Sequence, residues 1–159
     1  MRVAKNAGGD SLKIVSRLVV LSALACGRLA SAEGPAEIAQ ELLTLEHRAM
    51  DGWLKGDPDP MLALCDPGIT YVHVMTAKRL NGVAEVKALF EPYSGKPLFD
   101  RYEILDPQVQ VTTNTAVLTY EFVRHNGTVE SHWNATQVYQ RKKEGWRVIH
   151  THWSMIRPQ

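Results

Sequence analysis

The chain has 159 residues, 45% of them hydrophobic, and its 18 Lys and Arg residues nearly balance 17 Asp and Glu residues. Because the basic residues form no patch, this composition argues against a nucleic-acid partner and against an anionic membrane surface. The length suffices for one domain with its own hydrophobic core and is too short for two.

The N-terminal segment has the pattern of a secretory signal. Arg2, Lys5 and Lys13 precede an apolar run over residues 18–26, and residues 30–32 (ASA) form the small-x-small pattern that signal peptidase recognises. The apolar run is shorter than the roughly 20 residues that span a bilayer. We therefore predict a signal peptide at 1–32, a periplasmic or secreted protein, and no membrane contact after cleavage.

Lipoprotein anchoring through Cys26 is a minor alternative, because Cys26 is followed by glycine at the end of the apolar run. Five of the basic residues and one of the acidic residues fall in residues 1–32, so residues 33–159 carry a formal charge of −3. Cys65 is then the single remaining cysteine. No charged sequence neighbour would lower its pKa, so we predict a buried structural thiol.

Helix signals come first in the remaining chain. Apolar residues at helical spacing predict an amphipathic helix that ends near residue 55: Ile38, Leu42, Leu45, Ala49 and Trp53. Two shorter helices are expected at 61–64 and 83–90. Strands are expected at 69–74, 78–80, 98–105, 107–113, 115–125, 131–141 and 145–156. This order predicts an α+β fold with a curved antiparallel sheet around the first helix.

The last two predicted strands form a hairpin with two mixed faces. If Arg141 pairs with Trp146, strict alternation gives one face Trp133, Ala135, Gln137, Tyr139, Trp146, Val148, His150, His152 and Ser154. The other face then carries His132, Asn134, Thr136, Val138, Arg147, Ile149, Thr151 and Trp153. Both faces combine large apolar and polar groups. We therefore expect one face to line a pocket and the other to meet a partner sheet.

Four segments resemble a known family in their order and spacing. They are residues 65–70 (CDPGIT), 81–82 (NG), 136–139 (TQVY) and 145–154 (GWRVIHTHWS). Together they resemble the association domain of calcium/calmodulin-dependent protein kinase II and its stand-alone SnoaL-like bacterial relatives. Both groups belong to the nuclear transport factor 2-like superfamily, and the resemblance covers residues 33–159.

The resemblance implies a cone-shaped barrel, in which three N-terminal helices pack on a strongly curved, mostly antiparallel sheet. It also implies a pocket between the concave face and the first helix, and homodimers or higher homo-oligomers formed through the sheets. In the kinase domain an arginine at the position of Gln137 helps to bind a small carboxylate ligand. Because this chain has glutamine there, the anion site does not carry over intact.

The predicted ligand-binding residues are the aromatic and polar side chains assigned to the concave face. They are Trp53, Tyr71, His73, Trp133, Gln137, Tyr139, His150 and His152. His150 and His152 could share a metal ion with His73 or His132, but no third ligand has a recognisable spacing. We therefore predict neither a metal nor a cofactor.

Three functions remain open on this sequence. The first is a module that binds a small polar-aromatic or carboxylate compound. The second is an enzyme of the isomerase, cyclase or hydrolase kind, with His150 or Glu121 as general base. The third is an interaction module with a vestigial pocket. A fold can host all three, and the binding module ranks first because a complete catalytic set is missing.

Overall fold

The computed structural model describes residues 33–157. The predicted signal peptide at 1–32, with Cys26, lies outside the described residues and stays a prediction. Within 33–157 no helix is long and apolar enough to cross a membrane.

Three helices precede most of the sheet. The first, α1, spans Pro35–Trp53, α2 spans Asp59–Leu64, and α3 spans Val83–Phe90 before a 3₁₀ turn at Glu91–Tyr93. Helix α1 begins with proline, whose fixed φ suits the first helical position. The Glu37 carboxylate accepts a hydrogen bond from the Gly34 N–H at 3.0 Å, and this bond closes the first turn. The predicted helix at 83–90 is confirmed.

Six strands form one sheet in the order β2-β1-β6-β5-β4-β3. Their bounds are β1 Cys65–His73, β2 Leu80–Asn81, β3 Arg101–Val111, β4 Thr115–Asn126, β5 Val129–Lys142 and β6 Gly145–Met155. All pairs are antiparallel except β1 with β6. The three helices and the curved, mostly antiparallel sheet confirm the predicted α+β cone.

Strand β3 differs from the prediction of two strands at 98–105 and 107–113. It is one strand, whose pairing with β4 shifts between Leu105 and Gln108. Asp106 within the shift has a φ of 46°, a left-handed conformation that aspartate tolerates better than most residues. An irregularity inside a strand gives the same sequence signal as a turn between two strands, which explains the error.

The core lies between α1 and the concave face of the sheet. Among its fully buried side chains are Leu42 from α1, Ile69 from β1, Leu118 from β4 and Tyr139 from β5. Cys65 is also buried and its thiol donates to the Met61 carbonyl, so the predicted structural thiol is confirmed. This packing fixes α1 against the sheet and defines the walls of the cone.

Candidate functional site

A cavity of about 100 Å³ lies between the helices and the concave face of the sheet. His73 and Arg124 are its two basic lining groups, and the remaining lining is aromatic or apolar. Its aromatic rings are Trp53, Tyr71, Phe90, Phe99, Phe122, Trp133 and Trp153. An apolar cavity with a few convergent polar groups is the usual form of a small-molecule site.

The aromatic rings hold one another in place. Trp53 and Phe90 meet edge to face with centroids 4.8 Å apart. Phe122 and Trp153 do the same at 5.4 Å, and each such pair adds about 0.5–1.5 kcal/mol beyond its burial. Phe90 also meets Tyr71 of β1 edge to face, so these contacts connect α1, α3 and the sheet and support the cavity wall from both sides.

Arg124 and His73 bring hydrogen-bond donors to this wall. The guanidinium of Arg124 lies over the Trp133 ring at 5.7 Å, and its Nε donates to Ser131 Oγ at 3.1 Å. The ring of His73 also stacks on Trp133, with centroids 5.2 Å apart. The Met75 N–H donates to His73 Nδ1 at 3.1 Å, so the proton of the neutral ring belongs on Nε2.

Burial lowers the pKa of His73, and the nearby positive charge of Arg124 lowers it further. Both effects favour the neutral ring, because each disfavours a second positive charge in the cavity. The cavity therefore offers one permanent cation, Arg124, and one neutral N–H donor, His73. Among residues 33–157 no acidic side chain forms an ion pair with Arg124.

A buried carboxyl group lies at the closed end of the cone, one helical turn from the cavity residue Met50. Glu46 of α1 is 0% exposed. Its Oε1 accepts from Tyr120 at 2.5 Å and from Gln137 Nε2 at 3.2 Å, and its Oε2 accepts from Tyr139 at 2.7 Å. These four residues are named the Glu46 cluster below.

Burial raises the pKa of Glu46, and its three neutral donors offset only part of this effect. Burial and the negative charge of the carboxylate together raise the pKa of Tyr120 and of Tyr139. Buried titratable groups with shifted pKa values cluster at functional sites, so the Glu46 cluster belongs to the candidate site.

The structure brings together four of the eight predicted ligand-binding residues at the cavity: Trp53, Tyr71, His73 and Trp133. Gln137 and Tyr139 also face the inside of the cone, but they lie deeper and contact Glu46. Whether any of these residues binds a ligand stays a prediction.

The predicted face is wrong for His150 and His152. A β-bulge leaves Ile149 unpaired, because Tyr139 faces Val148 whereas Val138 faces His150. Beyond a bulge the alternation of side chains is inverted relative to a regular strand. The inner positions are therefore held by Thr151 and Trp153, which the strict alternation had assigned to the outer face.

His150 and His152 lie on the outer face of the sheet. His150 Nδ1 is 2.7 Å from the Thr70 hydroxyl, and His152 is exposed opposite Thr136. Glu121 also points outward, since its neighbours Tyr120 and Phe122 are buried in the cone, and it hydrogen-bonds to His132. Neither proposed general base, His150 or Glu121, faces the cavity.

Three residues of the site were not predicted from the sequence: Glu46, Arg124 and Trp153. Glu46 lies four residues after Leu42 and seven before Trp53, so its spacing within the buried stripe could have identified it. Arg124 follows the cavity residue Phe122 by two positions, which places both on one face of β4. Trp153 could not be placed without knowledge of the bulge.

The fold is that of nuclear transport factor 2-like proteins, as the resemblance predicted. Residues 38–157 match the calcium/calmodulin dependent protein kinase II association domain, and the chain belongs to that family. The comparison with curated proteins gave no significant match.

Several solved structures share this fold. A candidate ketosteroid isomerase from Parabacteroides distasonis ATCC 8503 is 26% identical over 82% of this chain and 94% of its own, with a TM-score of 0.67. A nuclear transport factor 2-like protein from Pseudomonas putida KT2440 is 22% identical over 75% and 87%, with a TM-score of 0.68. The calcium/calmodulin-dependent kinase II hub of S. rosetta is 24% identical over 79% and 99%, with a TM-score of 0.63.

Proposed function

We propose that this protein binds a small aromatic carboxylate in the cavity of the cone. The observation that carries this proposal is the position of Arg124, a cation without an acidic partner in residues 33–157, at an otherwise aromatic cavity. A ring would pack between the aromatic walls, and a carboxylate would accept from the guanidinium and from His73 Nε2–H.

Arg124 supplies the positive charge that the glutamine at position 137 lacks. The Arg124 Nε is occupied by Ser131, whereas its terminal N–H groups form no hydrogen bond with residues 33–157. A guanidinium can bind a carboxylate through two parallel bonds, which favours a planar acid over other anions. These features support a site for the ligand anion at β4, on a strand different from the one that carries Gln137.

We also propose that the protein is exported and works as a homo-oligomer formed through the outer face of the sheet. The family is named for association, and one similar structure is a kinase hub. The middle of the outer face is uncharged, with Val117 directly opposite Val138 and Thr119 opposite Thr136. Depletion of charge at the centre is typical of protein interfaces.

Binding is tested by isothermal titration of the protein with 3-phenylpropionate and with its neutral analogue, 3-phenylpropionamide. We expect Arg124→Met to weaken carboxylate binding by about tenfold or more, because a hydrogen-bonded charge pair contributes about 1.5–3 kcal/mol. The affinity for the amide should change less. The matched control is Arg141→Met, since Arg141 also lies over a tryptophan ring, at 5.2 Å, but outside the cavity.

Two results would contradict the proposal. The first is the absence of binding by 3-phenylpropionate to the unchanged protein. The second is an equal loss of acid and amide binding in Arg124→Met, which would mean that the arginine supports the wall without contacting the anion.

A further inference from the structure

Two polar atoms at the closed end of the cone have no hydrogen-bond partner in residues 33–157. They are Gln137 Oε1 and Thr151 Oγ1, and their side chains are only 1% and 3% exposed. The two residues face each other directly on β5 and β6. An unpaired buried polar group costs about 1–3 kcal/mol, so two side by side call for an explanation.

The pair lies directly behind the wall of the aromatic cavity. Thr151 is opposite Tyr71 on β1 and two residues before Trp153 on β6, and both of those rings line the cavity. Residues two apart on a strand point to the same face, about 7 Å apart along it. The closed end is therefore adjacent to the cavity along the axis of the cone.

The chemistry of the pair selects the kind of group that it would take. The Gln137 amide nitrogen donates to Glu46 Oε1, which leaves Gln137 Oε1 as an acceptor only. The Thr151 hydroxyl both donates and accepts. A hydroxyl group satisfies both atoms, because it donates to Gln137 and accepts from Thr151. A carboxylate does not, because it cannot donate and would lie close to the carboxyl of Glu46.

We propose that Gln137 and Thr151 form a polar subsite for the hydroxyl end of the ligand. This inference rests on the proposed function, in which the carboxylate end of the same ligand binds Arg124. Gln137 lies four residues after Trp133 on β5, about 13 Å away along the strand, and the Arg124 guanidinium lies over the Trp133 ring. With the reach of the side chains, that distance suits an aryl carboxylate that carries a hydroxyl at the far side of its ring.

The subsite is buried, so its use involves a movement of the wall. Tyr71 and Trp153 are the rings that flank Thr151, and they are 7% and 8% exposed. Trp153 packs in the hydrophobic core and meets Tyr120 and Phe122 edge to face, and its indole N–H forms no hydrogen bond with residues 33–157. The proposed use of the subsite therefore includes a rotation of this ring, which would open the cavity toward Thr151.

The test compares 3-(4-hydroxyphenyl)propionate with 3-phenylpropionate by isothermal titration. We expect the hydroxylated acid to bind about threefold to tenfold more tightly, the contribution of one net hydrogen bond. In Thr151→Val the two acids should bind equally tightly. In Thr151→Ser, which keeps the hydroxyl, the hydroxylated acid should again bind more tightly. The matched control is Thr136→Val, which makes the same change beside Gln137 on the outer face and should keep the ratio.

A second measurement separates a ligand site from a structural role. Thr151→Val removes a hydroxyl that has no partner in residues 33–157, so the thermal midpoint should stay the same or rise while the ratio is lost. Equal binding of the two acids, or a ratio that survives Thr151→Val, would overturn the subsite and leave the proposed function intact. The absence of binding by either acid would overturn both.

Discussion

Glu46 is fully buried, and the three groups that donate to it, Tyr120, Gln137 and Tyr139, are all neutral. A buried carboxylate without a cation is costly, so the folded protein holds the proton of Glu46 more tightly than the unfolded chain does. The stability that this proton contributes is complete below the unfolded pKa of about 4.3 and is lost as the pH rises through the higher folded pKa.

We therefore expect Glu46→Gln to gain stability relative to the unchanged protein as the pH rises. Glutamine keeps the shape of the side chain and has no proton to lose. The difference in the free energy of unfolding should grow between the unfolded and the folded pKa of Glu46, at up to about 1.4 kcal/mol per pH unit. This difference is measured by urea unfolding of both proteins at a series of pH values from about 4 to 8, a range that includes the unfolded pKa. The control is Glu144→Gln at an exposed turn, and parallel curves for Glu46→Gln and the unchanged protein would contradict the prediction.

Hydropathy could not identify Glu46 as a buried residue, because its side chain is polar. Its spacing from the apolar residues of α1 does place it on the buried face of the helix. The predicted stripe used Leu45, which is only half-buried, and left Glu46 among the polar residues. The burial of Glu46 depends on donors that follow it by 74 to 93 residues in the chain. Long-range hydrogen bonds of this kind leave no local pattern in a sequence.

At the scale of single elements, the helices and strands followed from periodicity, and the bulge in β6 did not. Strict alternation placed Trp133, Gln137 and Tyr139 correctly inside the cone, because β5 is regular there. One extra residue, Ile149, then inverted the assignment of the following residues of β6. A bulge requires no recognisable residue type, so a period-two pattern cannot show it.

The end of α1 gives a prediction at this scale. Gly56 has a φ of +72°, and a Cβ atom there would lie 2.4 Å from the Lys96 backbone nitrogen. The Gly56 carbonyl also accepts from the Gly95 N–H at 2.8 Å, which joins α1 to the loop after α3. We expect Gly56→Ala to lower the free energy of unfolding by more than about 2 kcal/mol, because the left-handed backbone alone costs about 1–2 kcal/mol.

The control for Gly56→Ala is Gly127→Ala. Gly127 has a similar φ of +60°, but nothing lies within 4 Å of the position that a Cβ atom would occupy there. Gly127→Ala should therefore lower the free energy of unfolding by the backbone strain alone, because no atom clashes with the added Cβ. Equal losses of stability in the two variants, measured by urea unfolding, would show that the contact between α1 and residues 95–96 is not tight.

For the whole molecule, the order and spacing of four short motifs were sufficient to predict the superfamily, because those segments form the start of β1, the entry to α3 and the two central strands. The charged residue that lines the cavity was not predictable in the same way. Gln137, at the position of the arginine in the kinase domain, is neutral. The positive charge at the cavity comes from Arg124 on another strand. The chemistry of a cavity depends on which strands converge on it, and this is a property of the assembled sheet.

The outer face of the sheet gives the last prediction. Val138 lies there, half-buried, opposite Val117 on β4 and His150 on β6. In a homo-oligomer a glutamate at position 138 would be desolvated at the centre of the interface, opposite the same charge from a second copy. We expect Val138→Glu to shift the assembly to monomers in size-exclusion chromatography with light scattering. Val129→Glu, at the first residue of β5, where the side chain is 66% exposed, should leave the assembly unchanged. If the unchanged protein is itself a monomer at micromolar concentration, the outer face is not a self-association surface.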